Sequence, residues 1–124
     1  MQFDWTFPWL LLIGHWLGDY ILQSHDIATK KTASNWWCVY HSLIYTLCVI
    51  SVLGFFWNFI YTNPLSWIIV FLTHYPIDRY SIGYKIMELK GGPDFTNPFA
   101  PIIYVWIDNG LHLILMTIFI GWLF

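Results

Sequence analysis

Charge is scarce in this chain: of 124 residues, five are Lys or Arg and seven are Asp or Glu. A soluble domain carries about 25% charged residues, against 10% here, so the composition belongs to the membrane class. No basic run or patch occurs and the formal net charge is −2, which excludes an electrostatic nucleic-acid surface. Cysteine is nearly missing too. Cys38 and Cys48 are ten apart, which does not place them on one helix face, and they read as buried core residues in preference to a disulfide or a metal clip. Positions 1–5 hold no basic residue, only Asp4, so the first apolar stretch is not expected to be a cleaved leader. A lipidation box is also lacking.

What fills the chain instead is apolar and aromatic: 58% hydrophobic residues, with nine Trp, eight Tyr and ten Phe suited to interfacial belts. The length allows one domain, 1–124, of about four spans at about 20 residues each. Spans are expected over 7–23, 37–61, 65–88 and 102–124, giving an all-α integral membrane four-helix bundle. Residues 24–35 read as a polar loop or short surface helix in which His25 and Asp26 are solvated. Thr62-Asn63-Pro64 is a turn signal, and Lys90-Gly91-Gly92-Pro93-Asp94 breaks the helix that emerges amphipathically through Asp78, Arg79, Lys85 and Glu88. Pro76 is predicted to kink that helix beside His74. The Trp5/Trp9 and Trp36-Trp37 groups read as interfacial anchors.

Lys30 and Lys31 fall between the first two spans, and Arg79, Lys85 and Lys90 between the last two. All five basic residues therefore lie on one side, which by the positive-inside rule is the cytoplasm, with both termini outside.

Within these apolar stretches a histidine and an aspartate recur four residues apart: His15 with Asp19, His74 with Asp78, and Asp108 with His112. That spacing puts both side chains on one helix face. Ionisable groups at membrane depth cost about 2.5–3.5 kcal/mol each even on the most lenient scale, so seven of them, counting His41, point to function. In the first and third spans the order is His then Asp, and in the fourth Asp then His. Because the fourth span runs the other way relative to the basic side, every Asp is expected nearer that side and every partner His one turn, roughly 6 Å, deeper.

His nitrogen and Asp oxygen suit Zn²⁺, or Mn²⁺ and Fe²⁺ with more carboxylate and water. His15, Asp19, His41, His74, Asp78, Asp108 and His112 exceed the four ligands of a closed structural site, which favours two ions, or one ion with the remaining Asp residues orienting imidazoles. An ion with an open position supports ester or phosphoester hydrolysis, with Asp19, Asp78 or Asp108 as catalytic carboxylates. The plainer reading of any one buried His is a hydrogen-bonded core residue, and the whole set also suits an interhelical hydrogen-bond network or a proton path. Gln23 extends the His15–Asp19 face and either binds substrate or caps the helix. Arg79 faces a substrate phosphate or, the plainer reading, a lipid head group. Asn109 is placed to hydrogen-bond across helices, and Gly14, Gly18 and Gly110 to let helices approach closely.

Four motifs in order, His15-Trp16-Leu17-Gly18-Asp19-Tyr20-Ile21-Leu22-Gln23, His41-Ser42, His74-Tyr75-Pro76-Ile77-Asp78 and Asp108-Asn109-Gly110-Leu111-His112, resemble a family of small, uncharacterised bacterial and phage membrane proteins. More remotely, the chain is similar to membrane-bound metal-dependent hydrolases, which carry intramembrane His and Asp and a His-Ser pair like His41-Ser42. The expectations are then a hydrolase of a phosphoester- or lipid-like substrate at the inner membrane of a bacterium or phage-infected host. An ion or proton transporter and a non-catalytic interaction protein with a structural metal stand as alternatives. The expected partners are membrane lipids and a small-molecule or lipid substrate, and no nucleic acid. A homo-oligomer is compatible with a chain this small.

Overall fold

Asp4 starts the first helix by accepting the Thr6 N–H at 2.9 Å and the Thr6 hydroxyl at 2.7 Å. In the computed structural model, which describes residues 4–92 and 96–123, α1 spans Thr6–Trp16 and widens into a π turn at Leu17–Ile21. Ser24 caps the short α2 (His25–Lys30), whose His25 is exposed as expected of a surface segment. The long α3 (Asn35–Phe56) follows, then α4 (Asn58–Thr62). Asn63 caps α5 (Pro64–Arg79) by accepting the Leu65 N–H at 3.0 Å, with Pro64 at its favoured first-turn position. Two further helices, α6 (Ile82–Leu89) and α7 (Ala100–Gly121), complete an all-helical chain with no strand among the described residues. Of the expected break at 90–94, Pro93 and Asp94 lie outside the described residues, as does Phe124 at the end of the expected fourth span.

Four helices form a ring in which α3 packs on α1 and α5, and α7 closes it against both. Gly14 and Gly18 permit the α1–α3 contact: a Cβ on Gly14 would lie 2.9 Å from the Val49 Cα, and one on Gly18 2.7 Å from the Tyr45 ring. Gly110 was expected to serve the same purpose but does not; nothing lies within 4 Å of the Cβ it lacks.

Two expected spans are interrupted. The stretch 37–61 breaks at Trp57 (φ −128°, ψ 87°), and α4 folds back so closely that a Cβ on Gly54 would meet the Tyr61 Cβ at 2.8 Å. The stretch 65–88 continues through Pro76 but breaks at Tyr80 and Ser81, where Ser81 takes the left-handed conformation (φ 49°, ψ 50°). A non-glycine residue there costs about 1–2 kcal/mol. Ser81→Gly is therefore expected to raise stability by about 1 kcal/mol, read as a higher thermal unfolding midpoint in detergent.

α3 and α7, at 22 residues each, are long and apolar enough to cross a membrane. The 16 residues of α5 reach about 24 Å, short of a bilayer core of about 30 Å. The radial pattern is inverted relative to a soluble protein. Trp16, Leu43, Leu47, Leu72 and Trp106 face outward, while His15, Asp19, His41, Ser42, Thr46, His74, Asp78 and His112 are buried. The interior is also divided along its length. Phe7, Leu11, Val49, Ile50, Leu53, Ile60, Met116 and Ile120 fill the half away from the basic loops, with Ser66 the buried polar residue there, and the histidines and aspartates fill the other.

Candidate metal centre

Helices α1, α3 and α5 deliver four donor atoms to one place. The π turn carries Asp19, α3 carries His41, and α5 presents His74 and Asp78 from successive turns. π turns widen a helix by one residue and recur at functional sites; this one closes with the Leu22 N–H on the Leu17 carbonyl at 2.9 Å. His41 Nε2 lies 2.9 Å from Asp19 Oδ1, 3.0 Å from Asp78 Oδ2 and 3.0 Å from His74 Nε2. His74 Nε2 lies 3.3 Å from Asp78 Oδ2 and 3.6 Å from Asp19 Oδ1. A tetrahedral ion with bonds of about 2.0–2.1 Å separates its ligands by about 3.3–3.4 Å, and these separations bracket that edge. Asp19 Oδ1 is buried with no hydrogen-bond partner among the described residues, and Asp78 Oδ2 is buried with a single cation, Lys31, beside it. Buried carboxylate oxygens are costly unless paired or bound to a cation. The donor set therefore fits a divalent ion.

The second oxygens of the two carboxylates turn to another group of donors. Asp78 Oδ1 lies 3.3 Å from His112 Nε2, and Asp19 Oδ2 lies 3.3 Å from His15 Nδ1. His112 donates its Nδ1–H to the Asp108 carbonyl at 2.8 Å, the arrangement that leaves Nε2 as a lone-pair donor, and that Nε2 is likewise buried without a partner among the described residues. Asp78, Asp108 and His112 each offer one ligand atom within 4.8 Å of the others, as do His15, Asp19 and His112. Asp108, the least buried of the three carboxylates with 16% of its side chain exposed, can still reach water. All seven residues singled out in the sequence thus converge, and Asp19 and Asp78 each touch both groups.

His15 differs from the other three imidazoles because both its nitrogens already have partners: Nδ1 lies 2.9 Å from the Tyr45 hydroxyl and Nε2 lies 2.6 Å from Asn109 Oδ1. The expected interhelical role of Asn109 is thereby filled, and its oxygen also accepts from the Tyr20 hydroxyl at 2.9 Å. Gln23 donates to the Asp19 carbonyl at 2.8 Å, closing the π turn, while its Oε1 is buried without a partner among the described residues. Arg79 points away from the carboxylates: its Nε donates to Asn35 Oδ1 and an Nη to the Thr32 carbonyl, both at 2.6 Å, clamping the loop before α3 to the end of α5.

Two members of the site were not singled out in the sequence. Lys31, from the loop after α2, places its Nζ 2.6 Å from Asp78 Oδ2. Burial opposes its charge, but the Asp78 and Asp19 carboxylates outweigh that and hold the ammonium above the ordinary lysine range. Tyr45 is fully buried, stacks on the His74 ring with centroids 3.5 Å apart, and donates to Met116 Sδ at 3.4 Å. Its position one turn after His41 on the same face is the signal that finds it.

These features define an all-helical protein with a buried histidine–aspartate cluster at one end of a ring of helices. The family described as Protein of unknown function (DUF3307) matches residues 7–124, and the chain belongs to that family. No curated protein and no solved structure matches it significantly.

Proposed function

We propose that this protein is a membrane-embedded, metal-dependent hydrolase that takes a phosphoester- or lipid-like substrate from the side of its basic loops, which the positive-inside rule makes the cytoplasm. The observation that carries the reading is the convergence of Asp19 Oδ1, His41 Nε2, His74 Nε2 and Asp78 Oδ2, each imidazole nitrogen lying 2.9–3.6 Å from both carboxylate oxygens, in an interior where Asp19 Oδ1 has no hydrogen-bond partner among the described residues. Those four side chains would close the shell of one ion, most suitably Zn²⁺, with the more oxygen-seeking Mn²⁺ or Fe²⁺ as alternatives. Asp78, Asp108 and His112, with only three ligands, would leave a position open for water at a second. When bound, such an ion supplies Lewis acidity, lowering the pKa of water to about 7 and polarising a phosphoryl or carbonyl oxygen.

The chain's own residues do the rest. Water adds across the ester bond, its hydroxyl going to the phosphoryl or acyl centre and a proton to the leaving oxygen. Asp108, half-buried at the edge of the cluster, is placed to take the proton released by water. Lys31 sets a positive charge beside Asp78, where an anionic head group would approach, and the free Gln23 Oε1 offers an acceptor to a substrate hydroxyl. His15 is a positioning residue that orients Asp19 while Tyr45 and Asn109 hold it. The apolar core that fills the opposite half weighs against transport, because a conducting path would have to cross Leu11, Val49, Leu53 and Ile120.

The test is turnover by purified protein in bilayers, loaded with Zn²⁺, Mn²⁺ or Fe²⁺, on phospholipid and on small phosphoester and carboxylic ester substrates. Asp108→Asn is expected to keep the ion held by the other four side chains while lowering turnover about 100-fold or more. Bound metal without turnover on any of these substrates would leave a structural ion and overturn the hydrolase.

A further inference from the structure

Between the π-turn end of α1 and the facing stretch of α7 runs an open groove of about 650 Å³, lined by Leu12, Trp16, Ile21, Trp106, Gly110 and Leu113 among others. Ligand sites have volumes of about 300–1,000 Å³. Gly110 lies on its open wall, since a Cβ there meets nothing within 4 Å, in contrast to Gly14 and Gly18, which are covered by α3. We propose that this groove holds one acyl chain of a lipid from the leaflet at the basic-loop end, with its head group at the histidine–aspartate cluster.

Three observations select that occupant. From Leu12 to Ile21 the groove runs about 13 Å along the helix axis, close to the about 15 Å of hydrocarbon in one leaflet. It opens on the outward apolar surface, where Trp16 and Trp106 are 51% and 75% exposed, so a chain enters sideways without crossing water. Its lining is mostly apolar, and one polar spot leads inward: Asn109 and Tyr20, both lining residues, share a hydrogen bond, the Asn109 oxygen also meets His15 Nε2, and His15 in turn contacts Asp19. A molecule lying in the groove is therefore apolar along its length and polar where it meets that chain of contacts. A second copy's helix would also cover apolar surface, but it would bring no polar terminus to Asn109. That the bound lipid is also the substrate rests on the hydrolase reading above.

The experiment embeds the whole protein in nanodiscs containing phosphatidylglycerol with a diazirine on one acyl chain, irradiates, and maps the adducts by mass spectrometry. Adducts are expected to concentrate on 12–21 and 105–113, and Gly110→Phe to reduce them at least fivefold with bound metal unchanged. Adducts spread evenly over the outward faces of α3 and α5, or insensitive to Gly110→Phe, would overturn the proposal. So would efficient disulfide dimerisation of Gly110→Cys, which would put a second copy in the groove. Labelling and metal content are read separately, so a metal-free protein that still labels in a Gly110-dependent way would refute the metal centre and leave the lipid groove standing.

Discussion

Asp78→Asn is expected to reduce bound metal in the purified protein to less than a tenth of the wild-type content. The substitution keeps the shape of the side chain but removes the charge shared by both donor groups: Oδ2 faces His41 and His74, and Oδ1 faces His112. Asp19 also meets three imidazoles, but Asp78 is the carboxylate that bridges His41 and His74 to His112, and none of those three imidazoles can replace an anionic oxygen. His15→Ala should behave differently. Its ring is held by Tyr45 and Asn109 and reaches Asp19 at 3.3 Å, so its loss is expected to weaken affinity about 10–100-fold, as partners that orient a ligand do, without abolishing binding. Elemental analysis after gel filtration, followed by chelator competition, separates the two. Full metal content in Asp78→Asn would remove the centre as drawn.

The second large effect concerns glycine, and its sign changes with position. Alanine in a helix gains about 1 kcal/mol over glycine, and Gly110→Ala should realise that gain because its Cβ enters open space. At Gly14 the new Cβ would sit 2.9 Å from the Val49 backbone, and at Gly18 it would sit 2.7 Å from the Tyr45 ring and 3.1 Å from its Cα. Overpacking of this kind costs about 1–3 kcal/mol, so Gly14→Ala and Gly18→Ala are expected to be net destabilising. Gly18→Ala carries a further penalty because Tyr45 stacks on His74 and meets His15, so it should also loosen metal binding, whereas Gly14→Ala should not. Denaturation in mixed micelles, with metal affinity measured in parallel, gives all three signs. A destabilised Gly110→Ala would mean that the groove is filled.

The candidate site was more legible in the sequence than the course of the backbone around it. A His and an Asp four apart share a face whatever the precise bounds of the helix, and three such pairs on an otherwise apolar chain leave them few places to turn but inward. The interruption at Trp57 carries no proline or glycine of its own, and Ser81 takes a left-handed backbone without being the residue that favours it. Local propensity is silent at both positions, where the close contacts lie nearby and come from tertiary packing: Tyr61 of α4 against Gly54, and Asp108 against Gly83. Lys31 counted toward the basic loop by sequence position, and only the fold of 22–35 shows its ammonium returning to Asp78. Tyr45 was one tyrosine among eight in a chain where aromatics suit the membrane interface, yet it is wholly interior.

The lengthwise division of the interior decides how the cluster can be supplied. Phe7, Leu11, Val49, Leu53 and Ile120 pack behind the cluster, while Lys31 and Gln23 contact Asp78 and Asp19 at its other end. In the proposed orientation, an ion bound at the proposed centre would be acquired from the compartment that bathes Lys30, after that loop has come to rest on its side of the bilayer. Were the chain inverted in the membrane, every contact would stay intact while the proposed centre drew its ion from the other compartment.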